Sequence, residues 1–147
     1  MAERCLLGLD AGNTVIKAVL FDLDGRQVGC HALDGPASPS AAGHVERDME
    51  ALWADVCAAI AGCVRDAGIA PRDIAAVGCA GHGNGLYLLD RAGAPLIGIL
   101  SLDSRAAALA AELDAEIGAR VHPLALQRPW PAQTPVLMRW FQRHRPA

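Results

Sequence analysis

A chain of 147 residues that is 52% hydrophobic and 20% charged has the make-up of a soluble globular protein, long enough to bury roughly two-thirds of its unfolded surface. The formal net charge of -3, with basic residues scattered along the chain, gives no electrostatic footprint for nucleic acid. No uninterrupted apolar run approaches membrane-spanning length, no basic leader opens the chain, and the expectation is one domain in the cytoplasm, with neither a nucleic-acid nor a membrane partner.

Cys5 to Asp10 and Lys17 to Asp22 read as adjacent strands joined by the polar turn Ala11-Gly12-Asn13-Thr14. The first strand delivers Asp10 to the rim of a sheet. Gly12 is expected to take a backbone conformation closed to other residues, while Asn13 and Thr14 offer donors and Lys17 a cation. Successive turn N–H groups form an anion-binding concavity, so the hairpin can face a polyphosphate, with Asp10 left for a magnesium ion or its waters. The same letters also occur in ordinary hairpins whose aspartate bonds its own turn.

Asp24-Gly25 turns the chain into a third run, Gln27 to Leu33, giving a three-stranded antiparallel meander. Gly35 to Gly43, with Pro36, Ser38, Pro39 and Ser40, carries loop composition. Asp48 is placed to cap a helix whose apolar face is Leu52, Trp53, Val56, Ile60, Cys63 and Val64, closed by Gly68 and Pro71. Ile74 to Ala80 is too short for a helix and suits a buried strand beside the first, ending in Gly81-His82-Gly83-Asn84-Gly85. Leu86–Leu89 and Leu96–Leu100 form a hairpin around Asp90 to Gly93. A helix is expected from Asp103 to Gly118, an irregular stretch from Val121 to Gln133, and a last helix from Thr134-Pro135, with the threonine hydroxyl as its cap. The five cysteines form no Cys-x-x-Cys and four sit in apolar patterns, so they read as reduced core thiols; the histidines lack metal-ligand spacing.

The order of these elements and their motifs resembles the N-terminal part of the FGGY carbohydrate kinases. The resemblance implies an α/β chain with the actin-like, ribonuclease-H-like ATPase fold: a mixed sheet opening on the meander and flanked by helices. It runs nearly end to end, so residues 1–147 are expected to form an incomplete N-terminal kinase domain. Asp10, Gly12, Asn13, Thr14 and Lys17 match the family's phosphate hairpin, with Asn13 where threonine or serine is usual, and Val45-Glu46-Arg47-Asp48 matches its Val-Glu-x-Asp near the sugar. Gly81 to Asp90 resembles the sugar-site turn. Ser101-Leu102-Asp103-Ser104-Arg105 stands where the family has Trp-x-Asp-x-Arg, a serine typical of the branch resembling L-xylulose kinases, as is Gln127 to Trp130.

By resemblance, ATP and Mg2+ are the cofactors, Asp10 is the metal-side residue, and His82, Asn84, Asp103 and Arg105 are the candidate contacts to a small-molecule sugar, most simply L-xylulose or L-lyxose. Read from the residues alone, His82 and Asn84 serve equally to stabilise a glycine-rich turn, and Asp103 with Arg105 to cap a helix. The family's catalytic aspartate and nucleotide-binding domain are expected beyond Ala147, leaving no catalytic residue here. The expected partner is the remaining part of the kinase or a second chain, a homodimer included, and an apolar face should stand open for it. Val19 to Gly25 also mimics the aspartate pair of haloacid-dehalogenase-type phosphohydrolases, but Arg26 replaces that family's threonine and no later Gly-Asp-x-x-x-Asp follows.

Overall fold

A computed structural model describes residues 4–35 and 38–144, and it divides them into two compact units with separate cores. The first takes the residues up to 35 together with Met49–His82; the second takes 38–48 and everything from Gly83.

In the first unit, β1 (Cys5–Ala11), β2 (Val15–Asp22) and β3 (Gln27–Asp34) form the antiparallel meander, and β6 (Ile74–Gly81) lies parallel to β1 in the order β3-β2-β1-β6. Alternation sends Cys5, Leu7, Ile16, Ala18 and Leu20 to one face, where α1 (Met49–Ala67) covers them with Val56, Ala59 and Cys63. Trp53, expected on that apolar stripe, is 68% exposed. The stripe is narrower than the sequence suggests, because Ala59 and Gly62 let the helix approach the sheet through small residues.

That approach is closest at β3. The His31 ring lies where a Cβ on Gly62 would come within 2.5 Å, and its Nδ1 pairs with Asp66 Oδ2 at 2.9 Å. Gly62→Ala is therefore expected to destabilise the first unit by about 1 to 3 kcal/mol through overpacking, and His31→Ala in the same chain should recover part of the loss, as measured by urea denaturation.

β6 corrects a second expectation. It pairs beside β1 as anticipated, yet seven of its eight residues are exposed, Val77 at 56%. The apolar run predicts a buried strand. α1 packs against β2 and β3 and leaves β6 at the sheet edge.

The second unit holds a smaller sheet, β4-β5-β8-β7. The stretch expected to be a loop contains strand β4 (Ser38–Ala41), paired antiparallel with β5 (His44–Arg47); Pro36 lies outside the described residues. Pro39 is tolerated because β4 is an edge strand. β7 (Leu86–Leu89) and β8 (Pro95–Ile99) form the anticipated hairpin, with Asp90 Oδ1 accepting the Ala92 and Ala94 N–H groups at 2.8 Å each.

Leu86 and Ile99 pack against Ala106, Leu109, Ala110, Val136 and Leu137, which come from the turn before α2 (Ala107–Leu113), α2 itself and α4 (Thr134–His144). Gly118 does not stop the helix. A π-helical turn, Asp114–Gly118, passes the chain into α3 (Ala119–Ala125), which runs through Pro123 and ends at Leu126 with φ +54°. The stretch expected to be irregular from Val121 is thus helical for its first third. Thr134 also departs from expectation: its hydroxyl donates to the Gly85 carbonyl at 2.8 Å and ties α4 to the start of β7.

Only Cys5 and Cys63 are buried, while Cys30, Cys57 and Cys79 are exposed, and all five are free thiols. The core reading fails for strand cysteines that alternation points away from α1 or that lie on uncovered β6. Burial pushes the Cys63 thiol up, against opposing hydrogen bonds from the Leu20 and His31 backbone.

Candidate functional site

The β1–β2 turn is as tight as its letters suggest, but for a different reason. Gly12 does not adopt a positive φ; a Cβ there would lie 2.8 Å from the Val15 carbonyl, which accepts the Gly12 N–H at 3.0 Å. Space, rather than backbone freedom, excludes a larger residue. The Thr14 carbonyl accepts the Gly35 N–H at 2.9 Å and anchors the tip to the end of β3.

Asp10 and Lys17 are directly opposite in the ladder and both exposed, Thr14 is exposed, and Asn13 is half-buried. Among the described residues, no ion pair engages Asp10 or Lys17. They stand on the sheet face away from α1, at one end of an open depression of about 330 Å³ whose lining includes Gly8, Val19, Phe21 and Gly78. Because β1 and β6 are parallel, their carboxyl ends share a rim: Asp10 pairs with Ala80 and Ala11 with Gly81, so half-buried His82 follows at the same edge as the turn. Open α/β sheets bind ligands at such carboxyl ends.

An exposed carboxylate, hydroxyl and ammonium around a turn of backbone donors suit magnesium-bound phosphate, since magnesium favours one or two carboxylates plus substrate oxygens. The rival aspartate pair has another explanation. Asp22 Oδ1 accepts the Asp24 and Arg26 N–H groups at 3.0 and 2.8 Å, and Gly25 with φ +83° completes a hairpin turn.

In the second unit, Asn84 is exposed with φ +65°, followed by buried Gly85 at φ +82°. A Cβ on Gly85 would collide with the Ile99 carbonyl, and its N–H donates to the Ala132 carbonyl at 2.8 Å. Asparagine is among the few side chains that accept the left-handed region, so backbone demand alone accounts for Asn84. Asn84→Gly is expected to keep the turn and Asn84→Ala to strain it by about 1 kcal/mol. Sugar affinity lost in both variants, measured by titration, assigns the side chain to ligand; affinity kept by Asn84→Gly assigns it to the turn.

Asp103 and Arg105 are brought together, but inward. The Asp103 side chain is fully buried and that of Arg105 is 2% exposed. Asp103 Oδ2 accepts the Val45 N–H at 2.7 Å and Arg105 Nη2 at 2.8 Å; Oδ1 accepts the Arg105 backbone N–H and Nε, both at 2.9 Å. Arg105 Nη2 reaches on to Glu46 Oε1 at 2.6 Å, and the guanidinium carbon lies 5.7 Å from the Trp140 ring centre. Burial pushes the Asp103 carboxyl up, yet the hydrogen bonds from Arg105 and from the Val45 and Arg105 N–H groups outweigh it and hold the group below its ordinary value. Both carboxylate oxygens accept hydrogen bonds from within the protein.

Nothing in the local residue pattern signals the buried partners. Arg47, noted only within the Val-Glu-x-Asp match, is 6% exposed and stands across Gly98 of β8 from Tyr87, since both oppose that glycine. Burial pushes the Tyr87 phenol up, and Arg47 opposes it. Glu46 and Trp140 likewise acquire their roles through pairings distant in sequence. The Val-Glu-x-Asp and Asp-x-Arg motifs were each visible, but nothing in either names the other.

A meander with a parallel strand beside its first strand, an acidic residue and a tight polar turn at the shared rim, and a helix across the sheet define the opening part of an actin-like ATPase fold. The sequence profile described as FGGY family of carbohydrate kinases, N-terminal domain, matches residues 5–147. The chain belongs to that family. It is 35% identical over 142 residues to L-xylulose/3-keto-L-gulonate kinase of Escherichia coli strain K12, covering 95% of this chain and 28% of that protein. It is 34% identical to the probable L-xylulose kinase of Pasteurella multocida over a similar stretch, 95% of this chain and 29% of the relative. The crystal structure of xylulose kinase from Rhodospirillum rubrum superposes with a TM-score of 0.87 at 26% identity, over 97% of this chain and 30% of that one. The chain thus spans under a third of the length of these relatives. Among the described residues, no helix is long and apolar enough to cross a membrane.

Proposed function

We propose that this chain supplies the N-terminal part of an ATP-dependent sugar kinase that phosphorylates a pentulose, L-xylulose or a related sugar, in the cytoplasm. The observation that carries the reading is the rim of the first unit, where exposed Asp10 faces Lys17 beside the Gly12–Thr14 turn. Asp10 would hold the magnesium ion or its waters, and the turn N–H groups beyond Gly12, with Thr14 and Lys17, the phosphate oxygens. A magnesium ion held there would supply charge neutralisation at the phosphoryl group. The protein's own share is positioning: the Gly35–Thr14 bond and the β1–β2 ladder fix the donors before any ligand arrives.

His82 and Asn84 are proposed to meet sugar hydroxyls. A site built to pair hydroxyls rejects an epimer that leaves its groups unpaired, at about 1 to 3 kcal/mol per buried group. The test is an affinity and turnover series over the pentuloses in a completed kinase, with His82→Ala beside the Asn84 variants. L-xylulose is expected to lead and D-xylulose to follow. An unchanged preference in every variant places sugar recognition on other residues.

A second reading is a polypeptide that folds and binds but needs a partner to act, supported by the exposed Leu6, Val28 and Val77 of the first unit. On either reading a protein of these residues alone is expected to leave pentuloses unphosphorylated, because the family's general base is worth orders of magnitude in rate. Turnover by the purified chain at an ordinary kinase rate would overturn both.

A further inference from the structure

We infer that Asp103, Ser104 and Arg105 form a clasp that docks the β4–β5 hairpin, so that Asp103 and Arg105 are positioning residues rather than sugar contacts. The inference rests on the kinase reading only for what the hairpin is held toward; the clasp itself stands on geometry.

Three consecutive residues each seize one part of the hairpin. Asp103 accepts the Val45 N–H, Ser104 donates its N–H to the Gly43 carbonyl at 2.7 Å and its hydroxyl to the same oxygen at 3.3 Å, and Arg105 reaches Glu46. The strand ladder alone holds β5 weakly. It is paired with β8 only through Glu46–Ile99 and Arg47–Gly98, and beyond those pairs the Leu100 N–H donates to the Val45 carbonyl at 3.0 Å. At Val45 the ladder therefore passes to side chains, with a buried carboxylate taking the N–H that a further strand residue would have accepted. Glu46 completes the hold from the exposed side, since its carboxylate is 33% exposed while the guanidinium it meets is buried. The Trp140 ring beside Arg105 extends the same connection to α4.

On the proposed reading, the segment so held is Val45-Glu46-Arg47, which the family resemblance puts near the sugar. A clasp of this kind sets where that segment stands without touching the substrate.

The test is amide hydrogen exchange across the 147-residue chain, comparing the parent with Asp103→Asn, Glu46→Ala and Glu46→Gln. Glu46→Ala is expected to speed exchange at Val45 and Leu100 at least tenfold while β1 to β3 and α1 keep the parent's rates. Glu46→Gln retains an acceptor for Arg105 and should restore most of the protection. Asp103→Asn should act more strongly on the same amides. In Glu46→Ala, exchange that rises uniformly through the second unit, or that leaves Val45 and Leu100 unchanged, overturns the clasp. In the completed kinase, Glu46→Ala should raise the pentulose KM at least fivefold with kcat within twofold; loss confined to kcat overturns the positioning role. A parent kinase without pentulose activity sinks the kinase reading while the exchange pattern still decides the clasp.

Discussion

In a completed kinase, Asp10→Asn is expected to lower kcat by at least about 100-fold while leaving the pentulose KM within about twofold, as measured by steady-state kinetics at saturating ATP. The amide keeps the size of the carboxylate and loses its charge, so the turn survives: its Gly12–Val15 and Thr14–Gly35 bonds are made by backbone groups. What disappears is the carboxylate proposed to hold the metal, and phosphoryl transfer depends on charge stabilisation more than on any other contribution. Thr14→Val, which removes a single neutral donor, should act in the same direction and more weakly. Full turnover in Asp10→Asn would reduce the hairpin to a structural turn.

The second large effect is on stability. Asp103→Asn is expected to destabilise the second unit by about 3 kcal/mol, because it takes the charge from a buried pair and leaves the Arg105 guanidinium leaning on Glu46 alone. The pH dependence has a definite sign. A carboxyl whose folded-state pKa lies below its unfolded value contributes stability that is fully present above that value, here 3.8, and is lost as pH falls through the lower folded-state value. The parent should therefore lose stability in the second unit on acidification below about pH 4, and Asp103→Asn should show a flatter acid limb. Urea denaturation followed through Trp140, which sits beside Arg105, reads both effects. Identical acid limbs in the two proteins would remove Asp103 from the account.

The meander, α1 and the β7–β8 hairpin were legible because each is decided locally, by strand alternation, helical period, and Asp-Gly or Asp-x-x-Gly turns. β4 was not, since Ser-Pro-Ser-Ala is loop composition that becomes a strand only through its pairing with His44 to Glu46. Helix continuation past Gly118 and through Pro123 escaped for the opposite reason: both residues ordinarily end helices, and a π-helical turn carried the chain on. At the rim, the residue types and their order were readable, including the Asp10–Lys17 pair that follows from hairpin register. The inward turn of Asp103 and Arg105 was hidden, because Val45, which Asp103 binds, and Glu46, which Arg105 binds, lie 58 and 59 residues away. A single sequence shows that an Asp-x-Arg exists, not which distant N–H needs an acceptor.

The parallel pairing of β6 with β1 bears on the order in which the first unit assembles. β1, β2 and β3 are hairpin neighbours and close short loops, whereas β6 must return across α1 and the whole β4–β5 hairpin before it can pair. Contacts between distant parts of a chain form late because their loop entropy is met before their reward arrives. On the ribosome, the turn that carries Asp10 and Lys17 is thus shaped while His82 is still being synthesised, and β6 joins a rim that already exists.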